Sequence, residues 1–460
     1  MANSYLYRTN GTPTHANKGT VSHWIKRGAV GVNEGSYGTF AAFNNGGAAA
    51  DRGHLNIYND TIYFYNQQTS TVLQTNRKFR DTNGWYHIVI AWDTTQATAS
   101  NRVKIYVNGV QETSFSTATY PGQNNTMEFN VSGRRFAVGA LGSNGNAGYF
   151  WDGYISHFAF VDGLQLTPTS FGETDSTSGI WKFKSPSGVT WGNNGFHLKF
   201  ENSGAMGTDS SGNGNNLTVS GNLKQALDTP SNVYCTINPL YRMDLSNNAT
   251  LSNGNNTFSS DQTGYNIRYG TLGVNKGKWY YEAKFISQNN HGNSDSFGMP
   301  FGISGSQIPA GAQNGGYAQY DYSYNYDGSN STVQVNNSAT NYGTTPLNAV
   351  GQIGMCAFDL DNNKVYFGVN GVWTNSGNPA GNANGFTIAD PDNTELGFYF
   401  PSTADRSSNR SYVYSFNFGN GFFGTTAITS AGSNGNGSLF EYDVPSGYYA
   451  LNTKNINTYG

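Results

Sequence analysis

Cysteine is almost missing: Cys235 and Cys356 are the only two in 460 residues, so no disulfide framework holds this chain, and each reads as a single buried apolar side chain. Charge is scarce as well. Asp, Glu, Lys and Arg make up 12% of the residues, about half the usual quarter. The 25 basic and 28 acidic side chains leave a formal net charge of −3 and form no block of one sign. A field that weak gathers neither nucleic acid nor an anionic membrane. No apolar run is long enough for a membrane-crossing helix. The start, MANSYLYRTNGTPTHANKG, lacks a basic head and an apolar stretch, so Sec-type export is not expected. Histidine is rare at seven, with no His-Glu-x-x-His pair and no Cys/His cluster at metal-ligand spacing.

What fills the space is glycine and aromatics. Gly, at 59 residues, is about twice its average share, and 31 Tyr with 28 Phe lift the aromatic fraction to 15%. So many rings bury large apolar areas, which excludes a disordered chain. Tyr, Phe, Val, Ile and Thr form strands, and Gly and Asn form turns, so the protein is expected to be all-β. The length predicts two or three domains. A surface of Gly, Asn, Ser and Thr with few lysines suits life outside a cell, which contrasts with the lack of an export signal.

Alternating runs recur between Gly, Asn, Ser and Pro clusters, and no helical period lasts three turns. In the first part TVSHWIKRG, GHLNIYND, TIYFYNQQ, GWYHIVIAWD, NRVKIYVNGV, RRFAVGAL and GYISHFAFVDG read as strands. In the last part GKWYYEAKFIS, FGMPFGIS, YAQYDYSYNYDG, GQIGMCAFDLD, NKVYFGVNGV, TELGFYFPS and SYVYSFNFGNG do the same. One phrase occurs in both: strand, Asp93, loop, strand, Asn108-Gly109, and again strand, Asp359, turn, strand, Asn370-Gly371. Asn-Gly supplies the positive φ of a primed turn, and the carboxylate caps the preceding turn. Two sandwich domains of related topology are therefore expected, 1–165 and 241–460. Between them 166–240 forms an ordered Gly/Ser-rich connector with strand islands such as GFHLKFEN.

The first half, through HWIKRG, WYHIVIAWD, IYVNG and WDGYISHFAFVDG, resembles laminin G-like domains of the concanavalin A-like jelly-roll class. The second half, through GKWYYE, FGIS, FDLDNNKVYFGVNG, FNFGN and PSGYYALNTKNI, is similar to SPRY domains, also concanavalin A-like sandwiches. With the connector phrases FVDGLQLTPTSFGE, GTDSSGNGNNL and DTPSNVYCTINPL, the order of modules resembles virion proteins of tailed phages, marine and cyanophage-type ones in particular. The resemblance implies two tandem antiparallel sandwiches in a capsid decoration, fibre or tail-associated adhesin. Such a protein is assembled in the host cytoplasm and displayed on the virion surface, which accounts for free cysteines beside a missing signal. The implied partners are other virion proteins of capsid or tail, host-surface polysaccharide and further copies of the chain. Nucleic acid and membrane insertion are not implied.

Catalysis has little to stand on, and the chain is expected not to be an enzyme. In GETDSTSG the pair Glu173 and Asp175 sits among turn residues, without the paired carboxylates that a sandwich glycosidase carries on one strand. Glu282, on the strand WYYEAKF, fits a structural role, and His23, His87 and His157 fall on strand phrases where satisfied core or pleat positions are usual. GTLGVNKGKW has the wrong glycine spacing for a P-loop, and Trp279 follows Lys278 where Ser or Thr is required. Asp209 in DSSGNGNN has the flavour of a calcium loop but offers only one carboxylate, and Asp359 with Asp361 in DLDNNK offers two, which a tight hairpin explains equally well. No metal site and no cofactor are assigned.

One stretch invites recognition. In YDYSYNYD a strand places Tyr320, Tyr322, Tyr324 and Tyr326 on one face and Asp321, Ser323, Asn325 and Asp327 on the other. Exposed, the tyrosines form a platform for sugar rings or a neighbouring subunit; buried, they are the inward face of the sandwich. The functional expectation is a noncatalytic virion-surface protein, with a soluble lectin-like glycan binder and a glycan hydrolase as the alternatives.

Overall fold

The computed structural model describes residues 3–28, 30, 37–44, 51–143, 146–244, 249–260, 266–289, 300–307, 322–327, 331–336, 338–404 and 411–460. The chain divides into two compact units, Met1–Gln225 and Ala226–Gly460. Regular structure among the described residues is strand, apart from short 3-10 turns and one helix, Thr453–Tyr459, which Asn452 caps by accepting from Asn455 N at 2.9 Å. The all-β reading of composition and alternation holds.

In the first unit an eight-stranded antiparallel sheet runs in the spatial order Phe115–Thr119, Thr71–Lys78, Thr61–Asn66, Arg52–Tyr58, Tyr37–Asn44, Arg134–Val138, Tyr5–Thr9 and Thr218–Ser220. The second sheet runs Phe196–Leu198, Gly153–Asp162, Lys18–Arg27, Tyr86–Asp93, Val103–Val107 and Val110–Gln111. Each strand turns alternate residues to the space between the sheets: Phe40, Leu55, Ile62, Phe64 and Phe136 from one, Val21, Ile25, Ile88, Ile90 and Phe160 from the other. Burying each such side chain contributes about 1.5–3 kcal/mol, and this drives the two layers together.

Residues 166–225 belong to this unit. Phe196–Leu198 pairs with Gly153–Asp162, and Thr218–Ser220 pairs with Tyr5–Thr9, so the segment adds an edge strand to each sheet. Ahead of these additions Leu166, Phe171, Val189 and Trp191 pack on Val89, Ala159 and Val161, on the outer side of the six-stranded sheet. Residues 226–240 belong to the second unit.

The second unit repeats the plan. One antiparallel sheet runs Ile237–Asp244, Asn266–Gly270, Phe400–Ala404, Pro300–Ser304, Ser323–Asp327, Thr332–Val335 and Ser338–Asn341. The other is built on Ser411–Asn417, Lys278–Asn289, Ile353–Asp359, Lys364–Val369 and Val372–Trp373. Trp279, Tyr281, Phe301, Tyr326, Phe358, Phe367 and Phe416 share the core between them, and Cys235 and Cys356 are buried there as free thiols. Phe440, Val444, Tyr448 and Ala450 return over the outer side of the second sheet, on Tyr280, Met355, Ala357 and Tyr366.

Candidate functional site

The tyrosine strand turns inward. Tyr320 lies outside the described residues and Tyr322 is half-buried, but Tyr324 and Tyr326 are 7% and 0% exposed and belong to the core of the second unit. Tyr326 stacks on Phe367 at 5.3 Å and donates its hydroxyl to Thr345 O at 2.6 Å. Tyr324 sits between Phe386 and Tyr399. At these two positions the surface platform is replaced by the inward face. The physical reason is composition: their neighbours Asn325 and Asp327 are polar, so the tyrosines are the better core residues. Asn325 and Asp327 are buried too, with Asn325 Oδ1 accepting from Ser402 Oγ at 2.7 Å.

The acidic loops are closed by their own donors. Asp209 Oδ1 accepts from the backbone N–H groups of His197 and Ser211, and Oδ2 from Ser211 Oγ and Asn215 N, all at 2.8–2.9 Å. Asp359 accepts from Asp361 N, Asn362 N and Asn362 Nδ2, and Lys278 Nζ lies 3.0 Å away. Asp361 in turn accepts from Gly277 N, which makes GTLGVNKGKW a turn into a strand. Glu173 and Asp175 share Lys182, at 3.6 and 2.9 Å, and Asp175 also receives Thr177 N and Ser178 N. Those donors hold the Asp175 carboxyl well below the usual carboxylate range, the Lys182 ammonium first among them. Among the described residues no three His, Cys, Asp or Glu side chains gather as a metal site requires.

A serine and a histidine do meet. Ser22 Oγ lies 2.8 Å from His87 Nε2, and Trp181 Nε1 donates to His87 Nδ1 at 2.9 Å. An indole N–H only donates, so Nδ1 carries the lone pair and Nε2 the proton, which is donated to the serine. That is the wrong tautomer for a general base. Burial, then His157, pushes the His87 pKa down to about 3, and Trp24 stacks on its ring at 4.7 Å. The pair is a buried tether for the covering segment. His157 similarly stacks on Phe183 at 3.5 Å. His23 departs from the expectation of a satisfied core histidine: it packs against Phe40 and Phe158, and neither ring nitrogen has a partner among the described residues.

Glu282 is also buried and structural. Its carboxylate accepts from Tyr280 Oη at 3.0 Å, Asn417 Nδ2 at 3.3 Å, and the backbone N–H groups of Glu441 and Tyr442 at 2.9 Å each. The two backbone donors fasten the C-terminal return to the sheet, while burial pushes the carboxyl up to about 7.

One face of the molecule is different. On Arg52–Tyr58 the residues Leu55 and Ile57 face the core, so Arg52, His54, Asn56 and Tyr58 face outward. On the next strand Ile62 and Phe64 are in the core, and Tyr63 and Tyr65 face outward opposite Asn56 and His54. The rings form a continuous patch: Tyr63 to Tyr65 6.2 Å, Tyr58 to Tyr63 6.1 Å, and His54 to Tyr65 5.1 Å between centroids. Tyr58 is 42% exposed and the other two tyrosines are half-buried, while beneath them His54 and Asn56 are only 7% and 2% exposed. His54 Nδ1 and Asn56 Oδ1 have no partner among the described residues, so the floor of the patch has unused hydrogen-bonding capacity. The signal lay in TIYFYNQQ: two alternating tyrosines separated by better core residues, the reverse of SYNYD.

Residues 2–170 match a family model of laminin G type, described as the concanavalin A-like lectin/glucanases superfamily. Among solved structures the SPRY domain of human HERC1 is similar at 14% identity, over 39% of this chain and 96% of that chain, with a TM-score of 0.29. No curated protein matches the chain.

Proposed function

We propose that the chain is a noncatalytic surface protein of a tailed-phage virion, a capsid decoration, fibre or tail-associated adhesin, whose sandwiches serve assembly and contact with host-surface glycans. The outward tyrosine patch on a sandwich of the lectin/glucanase superfamily carries the glycan part of this reading. Tyrosine offers a flat apolar face for a sugar ring and a polar tip for its hydroxyls, and many copies on one particle make weak contacts add up. The locked Ser22–His87 pair and the donor-filled carboxylates support a noncatalytic role. The virion part rests on the resemblance in module order.

Immunogold labelling of intact particles with antibody against the full chain tests the location. Regular label over the head or at the tail is expected; unlabelled particles with free protein in the medium overturn the virion reading. Reducing-sugar release from host-surface polysaccharide by the purified protein would overturn the noncatalytic part.

A further inference from the structure

The tyrosine patch ends at a cation, Arg52, that forms no ion pair among the described residues. Arg52 stands on the same strand face as His54, Asn56 and Tyr58, at the foot of the hairpin formed by Leu141–Ser143 and Asn146–Gly148. That hairpin lies on the neighbouring strand, with Gly142 so close to the Phe43 ring that a Cβ would meet it at 2.1 Å. It therefore makes a wall beside the open tyrosine strands. Arg52 reaches the wall through Nη1, 3.5 Å from Gly142 O, and its Nε is buried without a partner among the described residues. It forms no ion pair among the described residues, since the adjacent Asp51 is taken by Arg134 at 3.2 Å. Its charge is felt along the patch. After burial, Arg52 is the next cause holding His54 down at about 3, and it offsets part of the rise that burial and Tyr65 impose on Tyr63. His54 is thus neutral, which leaves the guanidinium as the positive group beside the tyrosines.

We propose that this face takes an acidic saccharide, with a sugar ring lying on Tyr63 and Tyr65 and a uronate carboxylate meeting Arg52 against the hairpin wall. The inference rests on the glycan-contact reading above and narrows it to a ligand class. A planar guanidinium suits a carboxylate, whose two oxygens match its fork.

The test is titration calorimetry of the full chain with an oligogalacturonate and with a malto-oligosaccharide of equal length, each at low and at moderate salt. The acidic oligomer is expected to bind more tightly and to weaken with salt. Arg52→Gln should lower its affinity about tenfold and erase the preference. Arg52→Lys should keep part of it, and Tyr63→Ala should weaken binding with an unchanged melting temperature. Equal binding of both oligomers, indifferent to Arg52→Gln, overturns the acidic specificity and leaves glycan contact standing. Tight acidic binding that survives Tyr63→Ala and Arg52→Gln overturns this site. Binding of neither oligomer overturns the acidic ligand, and a null result across a wide glycan panel then removes the glycan-contact reading itself.

Discussion

The two units share one frame and cover it with opposite chemistry. In each, a lysine at the start of a long strand sits opposite the aspartate that ends its neighbour: Lys18 with Asp93 at 3.2 Å, and Lys278 with Asp359 at 3.0 Å. In each, the turn asparagine clasps the neighbouring strand through its side chain, Asn108 Oδ1 accepting from His87 N and Asn370 Oδ1 from Ile353 N, both at 2.8 Å. In each, an aromatic of the covering segment lies over the turn glycine, Trp181 on Gly109 and Tyr442 on Gly371. Counting along the paired strands from lysine and aspartate, Ser22 and Glu282 occupy the same outer-face position. Yet Ser22 bonds a neutral histidine, while Glu282 bonds the returning backbone directly. A shared scaffold thus leaves the choice of cover, and with it the pH response, free to differ.

That response is the largest effect expected. Five of the seven histidines lie in the first unit, His23, His54, His87 and His197 buried and His157 half-buried, with pKa values pushed by burial to about 3 or 4. The unfolded chain takes up protons below about 6.5 that these folded sites refuse, so their contribution to stability is present above that pH and lost as pH falls towards the folded values. Each contributes about 1.4 kcal/mol per pH unit, so by pH 5.5 the first unit should lose several kcal/mol. Hydrogen exchange followed by mass spectrometry, corrected for intrinsic rates, should show peptides from Tyr86–Asp93 losing protection between pH 7 and 5.5 while those from Ile353–Asp359 do not. Equal loss in both would break the contrast.

Glu282 should respond with the opposite sign. Its folded pKa of about 7 lies above the ordinary 4.5, so the folded state holds a proton more tightly. The associated stability is present below about 4.5 and is lost as pH rises through 7, by about 3 kcal/mol over that window. Glu282→Gln should remove this slope from the second unit's melting curve. Glu282→Ala, which leaves four donors without their acceptor, should cost about 3 kcal/mol or more, against about 1–3 kcal/mol for Ser22→Ala at the equivalent position. Similar costs for the two alanines would mean that both covers are held by apolar packing, with the polar tethers incidental.

The frame was legible in the sequence and the covers were not, for a physical reason. The hairpin depends on local information: alternation, a turn-capping aspartate and Asn-Gly with positive φ, at 49° for both Asn108 and Asn370. Which segment returns over which sheet depends on contacts distant in sequence, such as Trp181 with His87, and no short pattern encodes them. The tyrosine strands show the boundary between the two kinds of information. Alternation alone places Tyr324 and Tyr326 together, and Tyr63 and Tyr65 together, but does not say which side is the core. The intervening residues decide: Ile62 and Phe64 outcompete tyrosine for the interior, whereas Asn325 does not. The same comparison, made on the sequence, would have moved the candidate site from the second unit to the first.

The turn glycines offer a more even comparison. Gly109 and Gly371 hold φ of 81° and 85°, and an added Cβ would meet Trp181 at 2.6 Å and Tyr442 at 2.9 Å. Alanine at either position combines backbone strain with displacement of the cover, at about 1–3 kcal/mol in urea melts. Because the two sites differ only in which ring is displaced, a cost confined to Gly109→Ala would show that Tyr442 yields where Trp181, bonded to His87, does not.

The smallest expected effect lies at the two ion pairs. Lys18→Met and Lys278→Met each remove an ammonium that is about 30% exposed, and pairs of that kind contribute about 0.2–1 kcal/mol. The aspartates differ more than the lysines do, since the Asp359 side chain is fully buried and that of Asp93 keeps 9% exposure. Both nevertheless retain donors after the lysine is gone. Asp93 keeps Thr95 N, Thr95 Oγ1 and Gln96 Nε2, and Asp359 keeps Asp361 N, Asn362 N and Asn362 Nδ2. Equal, small losses in thermal melts are therefore expected, because these bonds, not the lysines, hold the charge. A loss above about 3 kcal/mol for Lys278→Met alone would mean that burial of Asp359 outweighs its remaining hydrogen bonds, the signature of a buried ion pair broken on one side.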